Sequence, residues 1–411
     1  MKTKVSKIFS YFGYELGIFI ILGIQAFLNR GMIINMEKDF FSYYLLDYSM
    51  GFNSRMLVGS FINLLTDNPT ASWLKGFMIT VLVLTLLAVS LLLGRIIRCT
   101  EKEKRNVLYV FILFFVFGTL TMYGFSRYFG LLDIHLFICA LLAVVCATNK
   151  YLRWFTPVFA LAGVFVYYPF TLTYFVAVIG VCFYFAIKEK QSKSNFVIFL
   201  ITAVAVVGAT YFFAFEARDF MKVTFDELWQ IMEQKSGLKF EYDEIRPFDM
   251  FFYGNSVDIE LGHEVRDMTP FEVIKTVFMV TTGQVGEFHE VNYDGVLSLC
   301  MILLVVLSGF VPIWVLCMKN SETKPQKFVF LCFILGMLFI PLSWLITTDY
   351  SRMAQAGVLN QFIFAFVMFF RHDSAFEKTL EQLKSFFKGK EILLVIYFLI
   401  YASCFQLSWG V

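Results

Sequence analysis

Eleven predominantly apolar stretches limit what this chain can fold into more than any other feature. They lie near residues 10–29, 74–94, 107–125, 130–148, 155–168, 170–187, 196–215, 295–317, 328–346, 357–371 and 391–408. A spanning helix needs about 20 mainly apolar residues, and only helices or closed barrels satisfy every backbone amide inside hydrocarbon. The expected fold is an all-α polytopic membrane protein with about 11 transmembrane helices. The fifth and sixth stretches form one apolar run broken at Tyr167-Tyr168-Pro169. Pro169 lacks the amide hydrogen that a helix interior uses, so a tight hairpin is expected there. Composition agrees: 59% of the residues are hydrophobic, against about 45–50% in soluble chains.

Lys and Arg set the expected orientation. With Lys2, Lys4 and Lys7 in the cytoplasm, alternate loops carry Arg95/Arg98/Lys102/Lys104/Arg105, Lys150/Arg153, Lys188/Lys190/Lys193, Lys319/Lys324/Lys327 and Arg371/Lys378/Lys384/Lys388/Lys390. All of these then fall inside, and the short outer loops are poor in both residues. No small-residue cleavage site follows the first stretch, so an anchor is expected rather than a removed signal peptide. The expected divisions are a seven-helix module over 1–215, an acidic outer cap over 216–294 and a four-helix module over 295–411. Within the cap, short helices are expected at Thr224–Glu233 and Thr269–Val280, with breaks at Gly237, Gly254 and Gly262. Its acids match no EF-hand spacing, so a solvated cap is preferred over a metal-binding loop. The eight cysteines lie in or beside apolar runs without a CxxC pair, which indicates neither a disulfide framework nor a metal site. No basic stripe with interleaved aromatics suggests a nucleic-acid partner.

Polar residues at the expected outer ends of the helices are the candidate site. In the first outer loop, residues 30–73, Phe40, Phe41, Tyr44, Leu45 and Tyr48 recur at helical spacing, with Asp39, Tyr43 and Asp47 opposite. This predicts an interfacial amphipathic helix from Asp39 to Tyr48, ended or bent by Gly51. A second interfacial helix is expected from Met56 to Leu65, led by Arg55. An acid at the bend can take a proton from a hydroxyl, and an arginine can grip a phosphate. Arg127, Asp133 and His135 follow the third apolar run, Tyr167 and Tyr168 occupy the hairpin, and Asp349 and Arg352 precede the tenth run. Taken singly, each has a structural alternative. Asp47 could pair with Arg55, Asp133 with Arg127, and Arg127 or Arg352 could snorkel to headgroups. His263 and His289 have no ligand-spaced partners.

The layout resembles the GT-C superfamily of integral-membrane glycosyltransferases. Local motifs resemble uncharacterised bacterial membrane proteins of surface-polysaccharide loci. The pattern acid-x-x-x-Gly-Phe-x-x-Arg-x-Leu-x-Gly is echoed by Asp47, Gly51, Phe52, Arg55, Leu57 and Gly59. Gly130 and Asp133 echo a Gly-x-x-Asp, and Asp349, Tyr350, Ser351 and Arg352 echo an Asp-aromatic-small-Arg. The first loop lacks the tight acid pair of the superfamily; Asp39 and Glu37 are the nearest acids to Asp47. The resemblance implies glycosyl transfer from a polyprenyl-phosphate sugar to a glycan acceptor at the outer face of a bacterial plasma membrane. Asp47 or Asp39 would be the general base. Arg55, Arg127 and Arg352 would hold the phosphate, with Asp133, His135, Tyr167, Tyr168 and Asp349 lining the substrate. No cofactor is required, and the chemistry admits a divalent cation. Alternatives are an O-antigen or capsule polymerase or ligase, a flippase for lipid-linked glycans, or a non-catalytic scaffold.

Overall fold

The computed structural model describes residues 2–36, 38–118, 120–188, 192–245, 248, 293–343 and 350–403, and they are helical throughout, with no strand beyond one isolated bridge. The helices of the first half are α1 (Lys2–Leu28), α2 (Arg30–Ile34), α3 (Lys38–Ser42), α4 (Met56–Asn63), α5 (Ala71–Cys99), α6 (Arg105–Phe117), α7 (Met122–Arg127), α8 (Asp133–Thr148), α9 (Thr156–Val166), α10 (Phe175–Lys188) and α11 (Ser192–Tyr211). There follow α12 (Phe225–Ser236), α13 (Tyr242–Ile245), α14 (Tyr293–Asn320), α15 (Lys324–Gly336), α16 (Phe339–Ser343), α17 (Tyr350–Arg371), α18 (Ser374–Phe387) and α19 (Glu391–Ser403).

Five described segments are long and apolar enough to cross a membrane: Ala71–Cys99, Lys102–Arg127, Lys193–Glu216, Leu303–Asn320 and Ser351–Arg371. The chain is thus an all-α integral membrane protein. Helix α5 shows why. Leu74, Met78, Leu82, Leu86, Val89 and Leu93 are buried at helical spacing, yet the far side exposes Ile79, Val83, Leu84, Leu87 and Leu91. A helix apolar all round has its second face in lipid. Helix α17 is the opposite case, buried along nearly its whole length. It packs on α5, α8 and α10 and also on α14, α15 and α18, so the two expected modules share one core.

Buried amides hold α17 in register. Gln355 Nε2 donates to the Thr121 carbonyl (3.1 Å), Asn360 Nδ2 to Thr173 (2.8 Å) and Gln361 Nε2 to Phe333 (3.2 Å). Those carbonyls lie at or beside helix interruptions, where the i→i+4 ladder leaves acceptors open. One interruption is the expected break after Val166, where a short 3₁₀ turn, Tyr168–Leu172, leads toward α10. The expected 107–125 helix is also divided, one helix ending at Phe117 and the next, beyond Gly118 and Thr121, starting at Met122, and the expected 328–346 helix is divided at Met337-Leu338. At the former, the Thr121 hydroxyl donates to the Phe115 and Gly118 carbonyls.

The segment 30–73, expected to be the first outer loop, departs most from expectation. Its helix α3 stops at Ser42 instead of continuing to Tyr48. Tyr44, Leu45, Leu46 and Asp47 are all buried, which a two-faced surface helix cannot achieve with four consecutive residues. Turns let them face inward together. Gly51 does not end a helix; it bridges Met221, flanked by Phe52 N→Phe220 O (3.0 Å) and Lys222 N→Met50 O (2.9 Å). Gly51 sits at φ +154°, and a Cβ there would lie 2.8 Å from the Met221 Cα. Helix α4 matches its expected start and crosses Leu46 so closely that a Cβ on Gly59 would lie 1.9 Å from the Leu46 carbonyl oxygen. Gly59→Ala is therefore expected to cost about 3 kcal/mol, the upper end for overpacking against atoms that cannot swing away. A melt in detergent should show Gly59→Ala well below wild type. Gly76→Ala, in open space on α5, should hold or gain stability, since alanine is the better helix former.

The start of the segment 216–294 follows its sequence signals. Thr224 caps α12 through a reciprocal box with Glu227, and Gly237 closes the helix at φ 69°. Thr269–Val280, Gly254, Gly262, His263, His289, Glu37 and Asp349 lie outside the described residues.

Candidate functional site

Four of the expected site residues form a continuous chain of contacts. Asp133, at the start of α8, is 5% exposed. Its Oδ2 accepts from both Nε and Nη2 of Arg352, each at 2.8 Å. The Arg352 guanidinium lies 6.0 Å from the centroid of the Tyr167 ring. On the same ring, at 4.4 Å, lies the guanidinium of Arg55, which also faces Tyr43 at 5.5 Å. Tyr168 stands beside Tyr167, with ring centroids 5.8 Å apart. Two cations from segments about 300 residues apart thus meet across one tyrosine, within cation–π range.

The local backbone is built for this. Arg55 is only 7% exposed and adopts φ 71°, a left-handed conformation that is costly for a side chain with a Cβ. Its amide donates to the Phe165 carbonyl at 3.1 Å, tying it to the end of α9. Strain held in place by its surroundings is a common mark of functional segments. Tyr167 is extended (φ −166°) where α9 ends, so its ring leaves the helix direction and enters the space between the arginines. Gly130, at φ +103°, lets the α7–α8 turn pass Phe40; a Cβ there would lie 2.8 Å from the Phe40 Cβ. Beyond that turn, Tyr128 donates to the Ser351 hydroxyl at 2.8 Å, clamping the neighbour of Arg352. Arg127 lies at the end of α7, and the Tyr128 hydroxyl is within electrostatic reach of Arg127, Arg352 and Asp133 together.

Other expected residues do different work. Asp47, 2% exposed, pairs with Lys235 of α12 and not with Arg55. Its second oxygen accepts the Ser49 amide at 2.7 Å. Burial pushes the Asp47 carboxyl up, but Lys235 and Ser49 outweigh that and hold it below the usual carboxylate value. Both oxygens are therefore engaged, and the group joins the segment 30–73 to α12. Asp39 is half-buried at the start of α3, where its Oδ1 accepts the Phe40 amide (2.8 Å). His135 leaves the cluster: two residues from Asp133 on a helix, it points elsewhere and lies between Tyr44 (5.6 Å) and Phe77 (6.4 Å). Among the described residues, no three His, Cys, Asp or Glu side chains come together to hold a metal.

Two buried residues near the pair were not singled out by sequence, Tyr174 and Asn360. An Asn360-Gln361 dipeptide inside an apolar run was the available signal, because amides in hydrocarbon need partners. Compared with known proteins, the chain matches no family model, no curated protein and no solved structure.

Proposed function

We propose that this protein is a glycosyltransferase taking a sugar from a polyprenyl-phosphate donor at the outer membrane face. The observation that carries the reading is the approach of Arg55 and Arg352 to one ring, Tyr167. Asp133 accepts from one of the two, and aromatic faces flank the other. Two guanidinium groups gathered in a shielded place suit a phosphate, and their hold strengthens as negative charge grows on the leaving oxygen. In this reading the N-terminus is cytoplasmic, eleven helices cross the membrane, and the segment beyond Glu216 covers the acceptor. The general base in this reading is Asp47 or Asp39. A glycan acceptor and the bilayer are the partners.

The test is transfer of a labelled sugar from polyprenyl phosphate to acceptor glycan by the full chain in nanodiscs. Arg55→Gln should lower turnover by about 10²–10³-fold, as expected when a charge-stabilising donor is lost. Asp39→Asn should lower turnover without lowering the melting temperature. A wild-type chain that transfers nothing would sink the reading. A second reading, a carrier of lipid-linked glycans, draws on the interruptions after Phe117 and at Met337-Leu338, since broken helices are frequent in transporters. Movement of a labelled lipid-linked sugar across a proteoliposome bilayer would favour it.

A further inference from the structure

Two buried polar atoms are left over, one within reach of the Arg352–Asp133 pair and one deeper along α17. The Tyr174 side chain is fully buried, and its hydroxyl has no hydrogen-bond partner among the described residues. It nevertheless lies within electrostatic reach of both Asp133 and Arg352. Asn360 sits eight residues along α17 from Arg352, on about the same face and about 12 Å further along the helix. Its Nδ2 donates to the Thr173 carbonyl, the residue next to Tyr174. A carbonyl can only accept, which fixes the amide's orientation and leaves Oδ1 as the buried atom without a partner. Gln361, one residue on, shows the contrast. Its Nε2 reaches Phe333, and its Oε1 accepts from Trp314 Nε1 at 2.8 Å. Idle amide oxygens are therefore not a general property of α17.

Leaving a buried polar atom unpaired is costly, so such atoms call for a ligand or ordered water. Their chemistry narrows the choice. The Asn360 oxygen only accepts, so it cannot bind a phosphate oxygen and needs an O–H or N–H. The Tyr174 hydroxyl can donate or accept. A ligand that suits the whole group has an anion at Arg352 and hydroxyls beyond it. We infer that Tyr174 and Asn360 form a hydroxyl-recognising subsite for the sugar, with the phosphate held at the arginines. The two residues are specificity-determining, and the inference rests on the lipid-phosphate reading above.

The experiment compares the binding of two probes by the full chain in nanodiscs: polyprenyl phosphate and polyprenyl-phosphate hexose. Wild type should prefer the sugar-bearing lipid at least tenfold. Tyr174→Phe and Asn360→Ala should each erase most of that preference while keeping the affinity for bare polyprenyl phosphate. Tyr174→Phe should melt at or above the wild-type temperature, because only an unpaired oxygen is lost. Equal binding of the two probes by wild type overturns the subsite alone, as does a preference kept by both variants, which would leave these atoms merely hydrated. A clear drop in the Tyr174→Phe melting temperature also overturns it, since the hydroxyl would then have a structural partner. If wild type binds neither probe, the lipid-phosphate reading fails, and the subsite's ligand with it.

Discussion

Asp133→Ala is expected to destabilise the protein by about 3–5 kcal/mol, because it removes a buried carboxylate that Arg352 grips through two nitrogens. Asp133 is nearly inaccessible, and both Arg352 contacts converge on one carboxylate oxygen. Little water can replace it. The double variant Asp133→Ala/Arg352→Met should recover most of the loss, because exchanging a buried ion pair for apolar groups is often close to neutral. Unfolding in detergent, arranged as a double-mutant cycle, measures this coupling. Activity should follow a different order, with the double variant folded and inactive. Full stability of Asp133→Ala alone would show that the pair does not hold α8 to α17.

Lys235→Met is expected to have the second largest effect and to weaken a pH dependence. In the wild type, the Asp47 carboxyl is held below its ordinary value of 3.8. The unfolded chain therefore binds a proton first on acidification. Asp47 thus contributes stability that is fully present above about pH 4 and lost as pH falls through the lower folded value. Without Lys235, the burial that pushes this carboxyl up is opposed only by Ser49. Its folded value therefore rises relative to the wild type, and acidification should cost the variant less stability than it costs the wild type. At pH 7 the loss should be about 3 kcal/mol, the low end for a broken buried pair, since Lys235 retains some solvent contact. Melting temperatures at neutral pH and below the ordinary carboxylate value test the difference. A variant that parallels the wild type over that range would show that Lys235 is not the controlling partner.

What could be read from the chain depended on range. Apolar runs, the Thr224–Glu233 helix and the Gly237 break are local, and the described helices lie along them, with two of the runs divided. The break at Tyr167-Tyr168-Pro169 was legible for the same reason. Pairings were not. Asp47 and Lys235 are 188 residues apart, and Asp133 and Arg352 are 219 apart. No spacing rule links such positions. The Asp39–Tyr48 helix misled because its period was real but its surroundings were not two-faced: Leu45, Leu46 and Asp47 all meet protein. The glycines of the motif were recognised, but their reasons lay in distant atoms, Met221 for Gly51 and Phe40 for Gly130.

The clasp between Gly51 and Met221, with Asp47 and Lys235 beside it, also sets a schedule for biogenesis. Asp47 is synthesised 188 residues before the lysine that neutralises it. At about 5–20 residues per second, that interval is roughly 10–40 s. Through most of it, the segment 30–73 has neither its bridge partner nor its counter-ion, while several hydrophobic helices are made behind it. Maturation of the Arg55 bend therefore waits on the ribosome. A nascent chain stalled before Met221 should leave residues 47–55 open to protease, and one stalled well beyond Ser236 should protect them.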